Sequence, residues 1–272
     1  MNSIRSNLRD ARSTKDRAFT LIELIVVLGI IGLILALSLP HFRHMNEGRA
    51  MEGAVRQLLD DLAYARQTAI ATRSTVALVF VGPEVQDTSF IDPFDTSQYS
   101  LIERTNLIGL QSGPLTTYSL FAFRRAGDQP GQHASRYIRE WHSLPEKVFL
   151  AERLFDYTLI PSFRRDKFPF PNTTSKAIDL PYVAFNAQGQ CLPLFANSLT
   201  PFSGITDPTK ARDVYIPLAN GVIMYTRNSD GTLASWSAQE IPPNNSVNVS
   251  NVIHIDWLTG RAKLERADVT HQ

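Results

Sequence analysis

The segment FTLIELIVVLGIIGLILALSL, residues 19–39, restricts this chain more than any other part of it. It is apolar on every side of a helix and reaches the ~20 residues needed to cross a hydrocarbon core, with Glu23 as its only charge. Residues 1–18 carry Arg5, Arg9, Arg12, Lys15 and Arg17 against Asp10 and Asp16, and a net basic flank favours a cytoplasmic amino terminus. An ordinary secretory signal peptide has a shorter apolar stretch closed by small residues at its cleavage site. Here the run is longer and leads into Pro40, His41 and Phe42, so it is read as a membrane-length helix over 19–39.

Glu23 requires a physical reason. A carboxylate in a membrane helix costs roughly 2.5–3.5 kcal/mol on insertion scales, and a cationic partner offsets that cost. The apolar run contains no lysine or arginine. If the leader is cut before Phe19, the new terminal ammonium becomes the nearest candidate. Its acceptor is then the carboxylate of its own chain or that of a neighbour displaced along the helix axis, and the second choice sets a packing register.

The string Arg17-Ala18-Phe19-Thr20-Leu21-Ile22-Glu23-Leu24, followed by the apolar helix and Pro40, resembles the class III signal of type IV prepilins and type II secretion pseudopilins. The resemblance implies that a prepilin peptidase cuts on the cytoplasmic side between Ala18 and Phe19 and methylates the nitrogen of Phe19. It also implies that Phe19 and Glu23 serve fibre assembly. The family usually has glycine before the cut; Ala18 is the next smallest residue, and processing is expected to survive more slowly. The implied partners are the peptidase, other pilin or pseudopilin subunits in a fibre, an inner-membrane assembly platform, and the lipid bilayer before assembly. The implied location is a single pass through a bacterial inner membrane with the globular domain outside the cytoplasm, or an extracellular fibre.

Past the apolar run, Met51, Val55, Leu58, Leu62, Ala65 and Ala69 recur in steps of four and three. Glu52, Arg56, Asp60, Arg66 and Gln67 lie elsewhere, with Glu52 and Arg56 spaced for an i,i+4 pair. This predicts an amphipathic helix over 40–75, whose part from 41 to 72 extends ~48 Å at ~1.5 Å per residue. Pro40 kinks the helix, because it removes a backbone donor and crowds the preceding turn.

From residue 76 the pattern becomes strand-like, over 76–81, 117–123, 182–185, 214–218, 222–225, 252–258 and 261–264. Asn220-Gly221 and Thr259-Gly260 read as hairpin turns. Polar or proline-bearing stretches over 82–98, 105–116, 126–135, 161–176, 193–212 and 237–250 read as long loops. The expected class is α+β: a long amino-terminal helix, transmembrane half plus amphipathic half, packed on an antiparallel sheet domain over 76–272.

A second resemblance lies in fragments placed in order along the chain. Ala65, Arg66, Ala69, Ile70 and Val76 match the helix end and first strand of H-type minor pseudopilins and FimT-like minor pilins. Trp141-His142-Ser143-Leu144-Pro145, Phe185-Asn186-Ala187-Gln188-Gly189 and Leu258-Thr259-Gly260-Arg261 agree in kind. The resemblance implies a minor fibre subunit. FimT-like proteins are associated with DNA uptake, which makes a DNA-uptake pilin the alternative within the family.

The remaining constellations are weighed on their chemistry. Arg124 and Arg125, and Arg164, Arg165 and Lys167 beside Phe163 and Phe168, have the basic and aromatic character that holds single-stranded DNA; the plainer reading puts the rings in the core and the charges in water. Lysines and arginines number 27 against 26 acids, so no global charge favours nucleic acid. His41 and His44 have no matching ligand cluster, and Asp87, Asp92 and Asp95 lack the spacing of an EF-hand calcium loop, so no metal is expected. Cys191 is the only cysteine, which excludes an intrachain disulfide, and it reads as a packing residue. No nucleophile elbow, HExxH pair, phosphate loop or dinucleotide fingerprint occurs. The chain is expected to be a structural subunit without cofactor rather than an enzyme; a membrane-anchored enzyme or binding domain is the alternative from another class.

Overall fold

The computed structural model describes residues 21–86, 99–111, 113–124, 134–156, 163–192, 213–229, 233–248 and 251–265, with residues 36–47 described as helical backbone alone. The chain divides into two compact units, Met1–Asn46 and Glu47–Gln272. Helix α1 (Leu21–Thr72) supplies part of each.

In the second unit the predicted stripe is realised: Met51, Val55, Leu58, Leu62, Ala65 and Ala69 are buried, joined by Ala54. Glu52 and Arg56 form their i,i+4 pair at 2.5 Å on the exposed face. The helix stops at Thr72, three residues short of the expected 75. Ser74 N–H donates to Ala69 O at 3.0 Å and Arg73 N–H to Ile70 O at 3.3 Å, with Arg73 at φ 49°, the two bonds and left-handed residue of a Schellman close.

The next residues build an antiparallel sheet. It contains β1 (Val76–Phe80), β2 (Thr117–Ala122), β3 (Arg136–Tyr137) and β4 (His142–Ser143). After β5 (Val148–Leu150), which belongs elsewhere, come β6 (Arg164–Pro169) and β7 (Ala177–Phe185). The order is β3-β2-β1-β7-β6, with β4 also on β2. Strand alternation sends Val76, Leu78 and Phe80 into the core shared with α1, and Ala77 and Val79 into a second core on the opposite face. That second core is closed by Leu107 of helix α2 (Leu101–Gln111) and by Phe121, Phe168 and Phe170. Helix α2 begins with a capping box: Ser100 N–H donates to Glu103 Oε2 at 2.9 Å and Glu103 N–H to Ser100 Oγ at 3.4 Å.

The second sheet runs β11-β10-β8-β5, with β9 also on β8. Its other members are β8 (Val214–Arg227), β9 (Leu233–Glu240), β10 (Val252–Ile255) and β11 (Ala262–Glu265). Its inward residues Val214, Ile216, Leu218, Ile253 and Ile255 enter the same core as the α1 stripe. The architecture is the expected α+β packing of helix on antiparallel strands.

Two expectations are corrected. Asn220-Gly221 is no hairpin turn; β8 passes straight through it. A Cβ on Gly221 would lie 2.0 Å from Gln239 O, so the glycine serves close approach of the β9 backbone. The backbone of Asn220 is held by the Asn245 side chain, through Asn220 N–H to Oδ1 at 2.8 Å and Nδ2 to Asn220 O at 2.7 Å. The stretches 105–116, 161–176 and 237–250, expected as loops, contain most of α2, all of β6, the end of β9 and the short helix α3 (Asn245–Asn248). Strand β6 reads as polar because it is a sheet edge with Arg164, Arg165 and Lys167 reaching water. The Thr259-Gly260 hairpin joins β10 to β11 as expected, with Gly260 at φ 61° and Asp256 Oδ1 accepting Thr259 N–H at 2.6 Å.

Because Gly221 faces backbone rather than a yielding side chain, Gly221→Ala is expected to part β8 from β9 and destabilise the fold by about 1–3 kcal/mol. Denaturant unfolding of the full chain in detergent checks this, and unchanged stability would show that the close approach is not required.

Candidate assembly surface and the anchors behind it

The described side chains of the first unit, residues 21–35, are exposed on every side of α1. Their large apolar members range from Val27 at 42% to Leu21 at 76% exposed. Such a surface is stable only against lipid or other apolar helices. Among the described residues no helix is long and apolar enough to cross a membrane; the described side chains of this run end at Leu35, and the apolar sequence continues to Leu39. Glu23 lies in the first turn of α1, where a carboxylate complements the helix amino terminus. Helical backbone continues through Pro40. Ala18, Phe19 and the leader lie outside the described residues, as do the side chains of Pro40, His41 and His44.

Two polar anchors fix the lower half of α1 to the strands. In the first, Arg66 Nε donates to Gly189 O at 3.1 Å and to Thr259 O at 2.7 Å. Gly189, at φ 79°, closes the turn after β7, in which Asn186 Oδ1 accepts Gln188 N–H and Gln190 N–H. A Cβ on Gly260 would lie 2.0 Å from Gly189 O, so the two turns touch through backbone. Three sequence fragments of the second resemblance, around Arg66, Asn186 and Thr259, thus meet at one guanidinium.

The second anchor is Asp61, whose side chain is only 3% exposed. It accepts Tyr118 Oη at 2.8 Å, His142 Nε2 at 2.9 Å and the Arg139 guanidinium. Gln57 Nε2 donates to Tyr118 Oη at 3.0 Å and to Ser143 O at 3.2 Å. Burial alone would raise the Asp61 carboxyl, but hydrogen bonds from His142 and Tyr118 and the Arg139 charge hold it below its ordinary value. Sequence reasoning did not single out Asp61. The available signal was an acid beside Leu62 and three residues after Leu58, on the buried face of the helix.

The other candidates separate. Phe163 and Phe168 are both buried, in opposite cores, so neither offers a face for stacking a base beside Arg164, Arg165 and Lys167; the plainer reading of that patch holds. Arg165 Nη2 donates to Phe155 O at 2.9 Å, while Arg124 is exposed. Arg125, Asp87, Asp92 and Asp95 lie outside the described residues. Cys191 is buried, its thiol is pushed up by that burial, and its N–H donates to Trp257 O at 2.9 Å, which is the packing role expected of it.

Residues 13–39 match the family model described as the prokaryotic N-terminal methylation motif. The chain therefore carries the prepilin-type signal of type IV pilin-like proteins over its leader and apolar run. No curated protein and no solved structure is significantly similar to it.

Replacing Arg66 with methionine leaves both turn carbonyls without their shared donor, at an expected cost of about 1–3 kcal/mol. Hydrogen exchange should quicken over 186–190 and 256–260 and not in β1. Equal exchange in parent and variant would mean that the turns are held by their own bonds.

Proposed function

We propose that this chain is a minor pseudopilin or pilin-like subunit of a type II secretion or type IV pilus-type fibre. The observation that carries the reading is the methylation motif over 13–39 leading into a helix whose apolar side chains are exposed all round. In this reading a prepilin peptidase removes residues 1–18 and methylates Phe19. The apolar run holds the subunit in the inner membrane until an assembly platform transfers it into the fibre. Helix packing there buries the residues that lipid covered before, which conserves their apolar contacts while exchanging the neighbours.

Glu23 then neutralises the new terminal amine of an adjoining subunit, so the stagger between subunits is set by an ion pair in a medium that penalises any other register. The reading is of a structural subunit, not an enzyme. The order of the fragments around Arg66, His142, Asn186 and Thr259, and the meeting of three of them at Arg66, support an H-type or FimT-like member. Burial of Phe163 and Phe168 favours secretion or general fibre assembly over DNA uptake.

Mass spectrometry of the mature amino terminus, from cells with and without a prepilin peptidase, tests the reading. A peptidase-dependent N-methylated Phe19 is expected, with Glu23→Ala cleaved normally but absent from fibres. An intact leader in the presence of the peptidase, or a cut beyond Leu39, refutes it.

A further inference from the structure

The edge of the first sheet is interrupted. Strand β3 pairs Tyr137 with Phe121, whereas β4 pairs His142 with Tyr118. Residues 138–141 on the edge therefore span only Ser119 and Leu120 on β2, a bulge of two extra residues. The bulge sends its side chains two ways. Arg139 reaches Asp61 on α1 and lies over the Tyr64 ring, 4.9 Å from its centroid. Trp141 reaches the opposite side, where Nε1 donates to Pro171 O at 2.8 Å. Arg139, Glu140 and Trp141, with Thr105 and Asn106 of α2 and Asn172, line a groove of about 660 Å³.

His142 closes this bulge, and each of its ring nitrogens faces an oxygen that can only accept. Nε2 lies 2.9 Å from Asp61 Oδ2 and Nδ1 lies 3.1 Å from Glu140 O. A neutral imidazole carries one N–H and would turn a lone pair toward one of these oxygens, whereas an imidazolium donates to both. We propose that charged His142 is a pin that holds bulge 138–141 against helix α1, so that protons set how firmly this wall of the groove is held.

The groups facing the ring are Asp61 of α1, the Tyr118 ring of β2 at 4.3 Å between centroids, and Arg139 of the bulge itself. The hydrogen bond to Asp61 raises the His142 pKa above its ordinary 6.5; burial and the Arg139 charge oppose this and are outweighed. A raised folded value gives stabilisation that is complete below 6.5 and fades as pH climbs through the folded value. Asp61 has the opposite sign, and its contribution fades as pH falls below its ordinary 3.8. The pin is therefore tightest in mildly acidic conditions and slackens as pH climbs through the raised value of His142. It operates whether or not the chain enters a fibre.

The test uses the full chain in detergent micelles from about pH 5 to about pH 9. Nitrogen chemical shifts of the His142 ring should report both nitrogens protonated at pH 6.5 and titration above it. Exchange of the amides of residues 138–142, corrected for its intrinsic pH dependence, should rise about tenfold across that titration while β1 stays protected. In His142→Gln, whose amide donates to Asp61 without titrating, the corrected profile should be flat. A ring with one bare nitrogen at pH 6.5 overturns the proposal even if the variant fails to fold, and so does a pH profile shared by parent and variant.

Discussion

The globular unit depends on covering one stripe of helix α1. Met51, Ala54, Val55, Leu58, Leu62, Ala65 and Ala69 form a single apolar band, and residues of β1, β2 and β7 from one sheet and of β5, β8 and β10 from the other close over it. Small residues at 54, 65 and 69 leave the helix backbone itself as part of the contact surface. At about 25 cal/mol per Å² of apolar surface withdrawn from water, this shared core dominates every polar contact around it. The same helix has the opposite character over 21–35, where the described side chains are apolar and exposed on all sides. Along one helix the composition thus changes from all-round apolar to one-sided.

That division explains what the sequence disclosed. Stripe spacing located the buried face of α1, because a helix of this length repeats its signal many times. Continuous apolar character located β1, whose two faces meet different cores. Edge and ribbon strands were misread for the converse reason. Strand β6 shows water its arginines and lysine, and β9, LASWSAQE, carries small and polar residues in a largely exposed pairing with β8, so neither has a hydrophobic period to detect. Asn220-Gly221 failed as a turn signal because glycine answers two different needs, positive φ and bare backbone, and only the neighbouring strand decides between them.

The anchors were harder to read because their partners are far apart in the chain. Arg66 bonds residues 123 and 193 positions away, and Asp61 bonds Tyr118, Arg139 and His142 at separations of 57, 78 and 81. Resemblance had marked Arg66 and both turns singly without joining them. Asp61 went unmarked because a single carboxylate beside the apolar stripe carries no signal of its own. Burial with three donors reverses its meaning: an acid that costs energy in isolation becomes the point that fixes how an irregular sheet edge meets a helix.

Strand β8 has a mechanical consequence. Its 14 residues span ~48 Å at ~3.4 Å each. The first part lies between β5 and β10 in the core, while the remainder pairs, among the described residues, with β9 and carries exposed Val222 and Met224. Bonds between antiparallel strands lie across the strand direction. A pull on the far end of β8 therefore loads many of them together in shear rather than opening them one by one. The ribbon is an arm whose base is sewn into the core, so a load along it passes to the strands that flank β8 there.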